Sequence, residues 1–232
     1  MTGPGAGLRR FTRPANPPVV PEPAGPPGAR PNAIDATNPT ERCEMCATVL
    51  DSRHGHLVDL EHRSLACACR SCYLLFTAPG AGRGRYRAVP EDVYADPAHP
   101  LERTDWDALQ VPVGTAFFFV NSDLGRVVGC YPSPGGATEC ELELAEWQRI
   151  AARYPMLAGL APDTEAIFVS QGDRGIEYFL VPIDRCYSLV GQVRSRWRGL
   201  DGGAEVRDTL TAFVADLRER GRAWSRTAPD PR

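Results

Sequence analysis

Hydrophobic and polar positions follow two periods in the second half of the chain, and together they predict an α+β domain. Short apolar runs that turn and return predict β-hairpins over residues 115–131 and 165–181. Apolar residues at helical spacing predict one helix after the first hairpin and two after the second, over residues 144–154, 185–197 and 204–222. The predicted order is hairpin, helix, hairpin, helix, helix, with an antiparallel sheet.

Local signals refine these elements. Asp184 stands just before the fourth element and is predicted to be its N-cap, because a carboxylate accepts hydrogen bonds from the first helical N–H groups. Both hairpins carry an Asp-x-Gly turn, at Asp123–Gly125 and Asp173–Gly175. Either an ancient duplication or shared turn chemistry explains this match, and we favour shared turn chemistry.

Composition shifts divide the chain into five predicted segments. The first 40 residues hold ten of the 22 prolines, so they bury too little apolar surface to offset their ordering entropy. The predicted segments are a disordered Pro/Gly-rich tail over 1–40, a four-cysteine metal-binding module over 41–77, a linker over 78–110, the α+β domain over 111–224, and a disordered C-terminus over 225–232.

Four cysteines form two C-x2-C pairs in the predicted module. Cys43 and Cys46 are followed, after twenty-two residues, by Cys69 and Cys72. Each pair places two thiolates close enough to bind one ion, and two facing pairs complete a tetrahedron suited to zinc or to a single iron. We therefore predict that these four cysteines are the metal ligands.

Short stretches between the two pairs have strand-like character. Residues 56–60 have strand character, and alternation over 64–69 places Cys67 on the same face as Cys69, beside the predicted metal site. Cys67 is either an exchangeable ligand or a small buried residue, and we favour burial. The apolar run over 73–76 predicts a further strand after the second pair.

Other residues of the module have chemistry that the four thiolates do not require. We expect surface or supporting roles rather than metal ligation for His54, His56 and His62, with His56 the first to test. Arg83, Arg85 and Arg87 either contact phosphate or an acidic partner, or belong to a solvated loop, and we favour the loop. We expect the remaining cysteines to be packing residues: Cys130, Cys140 and Cys186.

Composition and motifs restrict the class of protein. Hydrophobic residues make up 43% of the 232, with no apolar run near the roughly 20 residues that span a bilayer, and we see no signal peptide. We therefore expect a cytoplasmic protein. The net charge of −3 lacks the basic excess of a dedicated nucleic-acid binder. No phosphate-binding loop, dinucleotide fingerprint or hydrolase motif is present, so we do not expect an enzyme.

Several motifs in combination resemble an uncharacterised bacterial family whose genes lie beside those for high-affinity NiFe hydrogenases. The resemblance covers about residues 41–222 and implies a pathway, not a mechanism. The motifs are the cysteine pairs with Cys67, the run His56-Leu57-Val58-Asp59, and the segments Tyr131 to Thr138, Val181 to Tyr187 and Trp197 to Gly203.

The four-cysteine module by itself resembles zinc ribbons and rubredoxins. Those proteins usually have glycine just after the second cysteine of each pair, where Ala47 and Tyr73 stand here. This departure disfavours rubredoxin geometry more than it disfavours zinc binding.

Three functions are compatible with these observations. The first is a non-enzymatic accessory protein of hydrogenase biogenesis or function, with a structural tetrathiolate zinc and an α+β domain that contacts a hydrogenase subunit or maturation factor. The second is a rubredoxin-like one-electron carrier with iron in the same site. The third is a nucleic-acid-binding zinc ribbon.

Overall fold

The computed structural model of the protein describes residues 41–78, 80–172 and 174–225. The predicted tail over 1–40 and the final residues 226–232 lie outside the described residues. All described residues belong to one structural unit. Among them, no helix has both the length and the apolar character needed to cross a membrane.

A small antiparallel sheet carries the cysteine-rich region. Its strand order is β2-β1-β3, and the register pairs Leu57 with Ala66 and with Ala88. A helix follows the second strand directly. The elements are β1 (Gly55–Asp59), β2 (Ser64–Ala68), α1 (Arg70–Leu75), a short 3-10 turn at Ala81–Gly84, and β3 (Tyr86–Ala88).

A seven-stranded sheet forms the rest of the framework, with strand order β10-β4-β9-β8-β5-β6-β7. Neighbouring strands are antiparallel except for β10 and β4, which are parallel. The strands are β4 (Tyr94–Ala95), β5 (Thr115–Asn121), β6 (Arg126–Ser133), β7 (Gly136–Cys140), β8 (Glu165–Gly172), β9 (Gly175–Pro182) and β10 (Arg222–Ala223).

Helices cover both faces of this sheet, because its central strands are apolar on both sides. Phe117 and Phe168 pack in one core and Phe118 and Ile167 in the other, and all four are fully buried. The second core includes α2 (Arg103–Ala108), α3 (Leu144–Ala151) and α4 (Pro155–Ala158), whereas the first includes α5 (Ile183–Arg196) and α6 (Gly203–Arg220).

The α+β class is confirmed. The predicted hairpins and helices are present in that order, but strand β7 and helix α4 were not predicted, and one strand pair of the sheet is parallel. The predicted strand over 73–76 is wrong, because that run continues helix α1. Asp184 is not an N-cap either: α5 begins at Ile183, with Pro182 at the cap position. Residues 78–110, where we predicted a linker, contain β3, β4 and α2.

A buried carboxylate joins the helices on the second face. Asp105 of α2 is only 2% exposed and accepts hydrogen bonds from Arg149, Arg153 and the Tyr154 hydroxyl, the last at 2.7 Å. The Tyr154 hydroxyl also accepts from the Glu102 backbone N–H. This network fixes α2 against α3 and the turn that follows it.

We expect Asp105→Asn to lower the free energy of unfolding by about 2 kcal/mol, because the neutral amide loses hydrogen bonds to charged donors and leaves the buried Tyr154 hydroxyl with a poorer partner. Urea unfolding monitored by circular dichroism measures the change. The control is Asp107→Asn, since Asp107 is 59% exposed and pairs with Arg103 across one helical turn; its effect should stay below about 0.5 kcal/mol. Equal effects of the two variants would contradict this account.

Candidate metal centre

The two C-x2-C pairs meet in space. One Sγ atom from each of Cys43, Cys46, Cys69 and Cys72 lies within 4.8 Å of the others. Cys46 Sγ and Cys69 Sγ, which come from different pairs, are 3.7 Å apart. Four thiolates at this separation can hold one metal ion in a tetrahedral shell.

A tight turn presents the first pair. The Ala47 N–H donates to the Cys43 carbonyl at 2.8 Å, and the Cys43 N–H donates to the Thr48 carbonyl. Ala47 has φ of 60°, in the left-handed region that normally favours glycine. The turn at the first C-x2-C pair, here called a knuckle, is therefore tight although alanine stands where zinc ribbons and rubredoxins usually have glycine.

The second pair lies at the start of a helix rather than on a second knuckle. Cys69 is the residue before α1, and Cys72 lies in its first turn. The Tyr73 N–H donates to the Cys69 carbonyl, and the buried Tyr73 hydroxyl donates to the Val89 carbonyl at 2.8 Å. Because Tyr73 is helical and anchored, glycine is not needed at this position.

A small apolar core supports the cluster from within the module. A Cβ added at Gly55 would lie 2.5 Å from the Tyr73 ring, so glycine is required for β1 to approach helix α1. The core contains Cys43, Leu50, Leu57, Ala66, Ala68 and Tyr73. It is too small to be stable alone, so a metal held by the four cysteines would stabilise this region.

The four thiols differ in their electrostatic surroundings. The Thr48 hydroxyl is the main cause that lowers the pKa of Cys46 to about 6. Burial opposes ionisation of Cys43, but backbone N–H groups outweigh it and lower the pKa of this thiol. The Cys69 side chain, with burial, raises the pKa of Cys72 to about 12. The hydrogen bonds to Cys43 and Cys46 thus favour the thiolate form, which is the form that binds metal ions.

Cys67 belongs to a different group of side chains. Its Sγ lies within 4.8 Å of one nitrogen each from His54 and His56. The sequence signal for this group is the spacing of the two histidines, which are two residues apart. The pairing of His56 with Cys67 comes from the β1–β2 register. His56 Nδ1 also lies 2.8 Å from Asp184 Oδ2 on α5.

The remaining predicted residues have structural partners. Arg85 binds the buried Asp59 with its Nη2 2.7 Å from Oδ2, and His62 Nδ1 lies 2.9 Å from the same oxygen. Arg87 binds Asp163 at 2.8 Å. Two of the three arginines therefore have carboxylate partners within the chain, which reduces the charge available for a phosphate group.

The cysteines outside the module are packing residues, as predicted. Cys130 and Cys140 are each 7% exposed, and Cys186 is fully buried. Burial raises the pKa of all three thiols, to about 12 for Cys130 and well above the ordinary value for Cys186. Such thiols are poor nucleophiles.

These observations define an α+β protein with a four-cysteine cluster that can hold a metal ion. The chain belongs to a family of unknown function, DUF5947, whose match covers residues 42–221 and thus the cluster and strands β4 to β9 of the large sheet. No curated protein and no solved structure matches the chain.

The Asp59 contacts predict a pH dependence of stability. Arg85 holds the pKa of Asp59 well below its usual range, so this carboxylate stabilises the fold fully above the ordinary aspartate pKa of about 4. It loses that contribution progressively as the pH falls from there toward its own, lower pKa. We expect Asp59→Asn to cost about 2 kcal/mol at pH 7 and clearly less at pH 3. Urea unfolding at both pH values measures this difference.

Glu61→Gln is the matched control, because Glu61 also pairs with Arg85 but is 63% exposed. Its effect should be below about 1 kcal/mol at either pH. A cost for Asp59→Asn that does not change with pH would contradict the assigned role of the carboxylate.

Proposed function

We propose that this protein is a non-enzymatic metal-binding accessory protein, with a structural zinc held by Cys43, Cys46, Cys69 and Cys72. The observation that carries the proposal is the mutual approach of the four Sγ atoms to within 4.8 Å. Four protein thiolates complete the tetrahedral shell of zinc and leave no position for a substrate or an activated water. Stabilisation of the module is the role that such a closed site supports.

The arrangement of the pairs supports zinc over iron. A rubredoxin-like carrier has a knuckle at each pair, whereas here only the first pair lies on a knuckle and the second lies at the start of α1. Iron remains a second candidate because Cys46 is exposed, and an exposed ligand favours electron exchange with a partner. The two ions are distinguished by colour.

The proposed pathway is hydrogenase biogenesis or function, in the cytoplasm of a bacterium. Its support is the combination of motifs spread from Cys43 to Gly203, which resembles the family encoded beside hydrogenase genes. The α+β domain is the proposed contact surface for a hydrogenase subunit or a maturation factor. A nucleic-acid role is disfavoured, because Arg85 and Arg87 are bound to carboxylates of their own chain.

We expect protein from its native host to be colourless and to retain one zinc per chain after dialysis against a mild chelator. Cys46→Ser and Cys72→Ser should each reduce this retained zinc to near zero and expose residues 41–77 to proteolysis, because the module lacks an independent core. Elemental analysis and limited proteolysis measure the two effects. The control is Cys130→Ala, which should keep the metal.

Red protein with one iron would instead establish the electron carrier. Retained metal and unchanged proteolysis in both serine variants would show that these cysteines are not the ligands.

The proposed link to hydrogenases leads to a separate prediction. Affinity purification of the tagged protein from its host under native conditions should recover a hydrogenase subunit or maturation factor, identified by mass spectrometry. The Cys72→Ser variant, expressed at the same level, tests whether capture depends on the folded module. Recovery of no hydrogenase-related protein with the wild-type chain would count against the pathway and leave the metal assignment intact.

A further inference from the structure

We propose that His54, His56 and Cys67 form a second metal site, which binds a divalent ion of the zinc class independently of the four cysteines. One nitrogen of each imidazole and the Cys67 Sγ lie within 4.8 Å of one another. Imidazole nitrogen with thiolate sulfur is a ligand set suited to borderline transition ions and unsuited to magnesium or calcium.

The β1–β2 hairpin brings these three side chains together. His54 and His56 are two residues apart, and their ring centroids are 4.8 Å apart. His56 and Cys67 are direct partners across the hairpin. Directly paired residues such as His56 and Cys67 share one face of the sheet, and His54 lies one residue before β1 begins. The hairpin and the residue that leads into it therefore place the three ligands near one another.

The His54 ring provides an independent indication of a missing ligand. Its side chain is only 9% exposed, and its Nε2 is buried with no hydrogen-bond partner among the described residues. Nδ1 lies 2.9 Å from the Asp51 carbonyl oxygen, which can only accept, so Nδ1 carries the proton and Nε2 carries a free lone pair. A buried acceptor without a partner is costly, and a bound cation would satisfy it.

His56 is held in the same manner. Its Nδ1 lies 2.8 Å from Asp184 Oδ2, which leaves Nε2 as the nitrogen available to a metal. Metal-ligating histidines in proteins usually donate their other ring N–H to a carboxylate or a backbone carbonyl, and this orients the ring. The partner of His56 is a carboxylate, and the partner of His54 is a backbone carbonyl.

Three protein ligands leave a fourth position for water or an exchanging group. Of the three ligands, His56 lines, together with Asp184, an open groove of about 820 Å³ between α5 and α6. We therefore expect the second ion to bind more weakly and exchange faster than the ion of the closed four-cysteine cluster.

A third group of potential ligands, Asp59, Glu61 and His62, does not support a site in the same way. The Arg85 guanidinium already binds Asp59 at 2.7 Å, so a cation occupies the place that a metal would take. His62 therefore provides a matched control within the same module.

The test uses zinc as the probe and the full-length protein. Equilibrium titration with a chromophoric chelator as competitor should reveal one zinc that the chelator does not remove and a second that it removes readily. His54→Gln and Cys67→Ser should lose the second zinc and keep the first. His62→Ala should keep both, and circular dichroism should show an unchanged fold in all variants.

Asp184→Asn distinguishes a metal site from a merely structural contact, because this residue lies outside the module. We expect it to weaken the second zinc by about 10- to 100-fold and to leave the first unchanged. It also decides the outcome if His54→Gln fails to fold. A wild-type chain that binds a single zinc, or a His54→Gln or Asp184→Asn variant that retains the second zinc at wild-type affinity, would overturn the second site without affecting the proposed function.

Discussion

Burial of both faces of strands β5, β8 and β9 is the constraint on which the structure depends. Alternate residues of each strand enter opposite cores, as Phe117 and Phe118 show, so neither face can be left to solvent. Helices α2 to α4 cover one face, and α5 and α6 cover the other. Val58 of the small sheet is part of the same core as Phe117. The large sheet thus determines where the cysteine-rich region can lie.

The cysteine-rich region combines two kinds of stabilisation. Its own core, built around Leu57 and Tyr73, is small, and a metal held by the four cysteines would compensate for that size. The other face of its sheet packs against the large domain, through Val58 in the shared core and through the hydrogen bond from His56 to Asp184. The cysteine-rich region is therefore stabilised both by its own residues and by the large domain.

The periodicity of apolar residues was sufficient to predict the two long hairpins and the helices that follow them. The hairpins around residues 115–131 and 165–181 have apolar runs and clear turns, and the helices have helical spacing. Strands β4 and β10 have two residues each and exist only through their pairing, so no periodicity marks them. The apolar run over residues 73–76 is too short for its periodicity to distinguish a strand from a helix.

The same limit applies to the sites. The spacing of Cys43, Cys46, Cys69 and Cys72 was sufficient to predict that these residues meet. The grouping of Cys67 with the histidines depends on hairpin register, and the partner of His56 lies 128 residues further along the chain. Such contacts depend on tertiary structure, so Asp184 could only be interpreted from the sequence as a helix cap.

The segment between β3 and β4 affects how these parts meet. It has five residues, 89–93, and both Val89 and Val93 are 2% exposed in the core beneath α5 and α6. A tether this short and anchored at two points leaves little freedom for the two sheets to diffuse apart. His56 and Asp184 consequently meet as groups of one structural unit. Their effective concentration is set by this short connection and not by encounters of two independent domains.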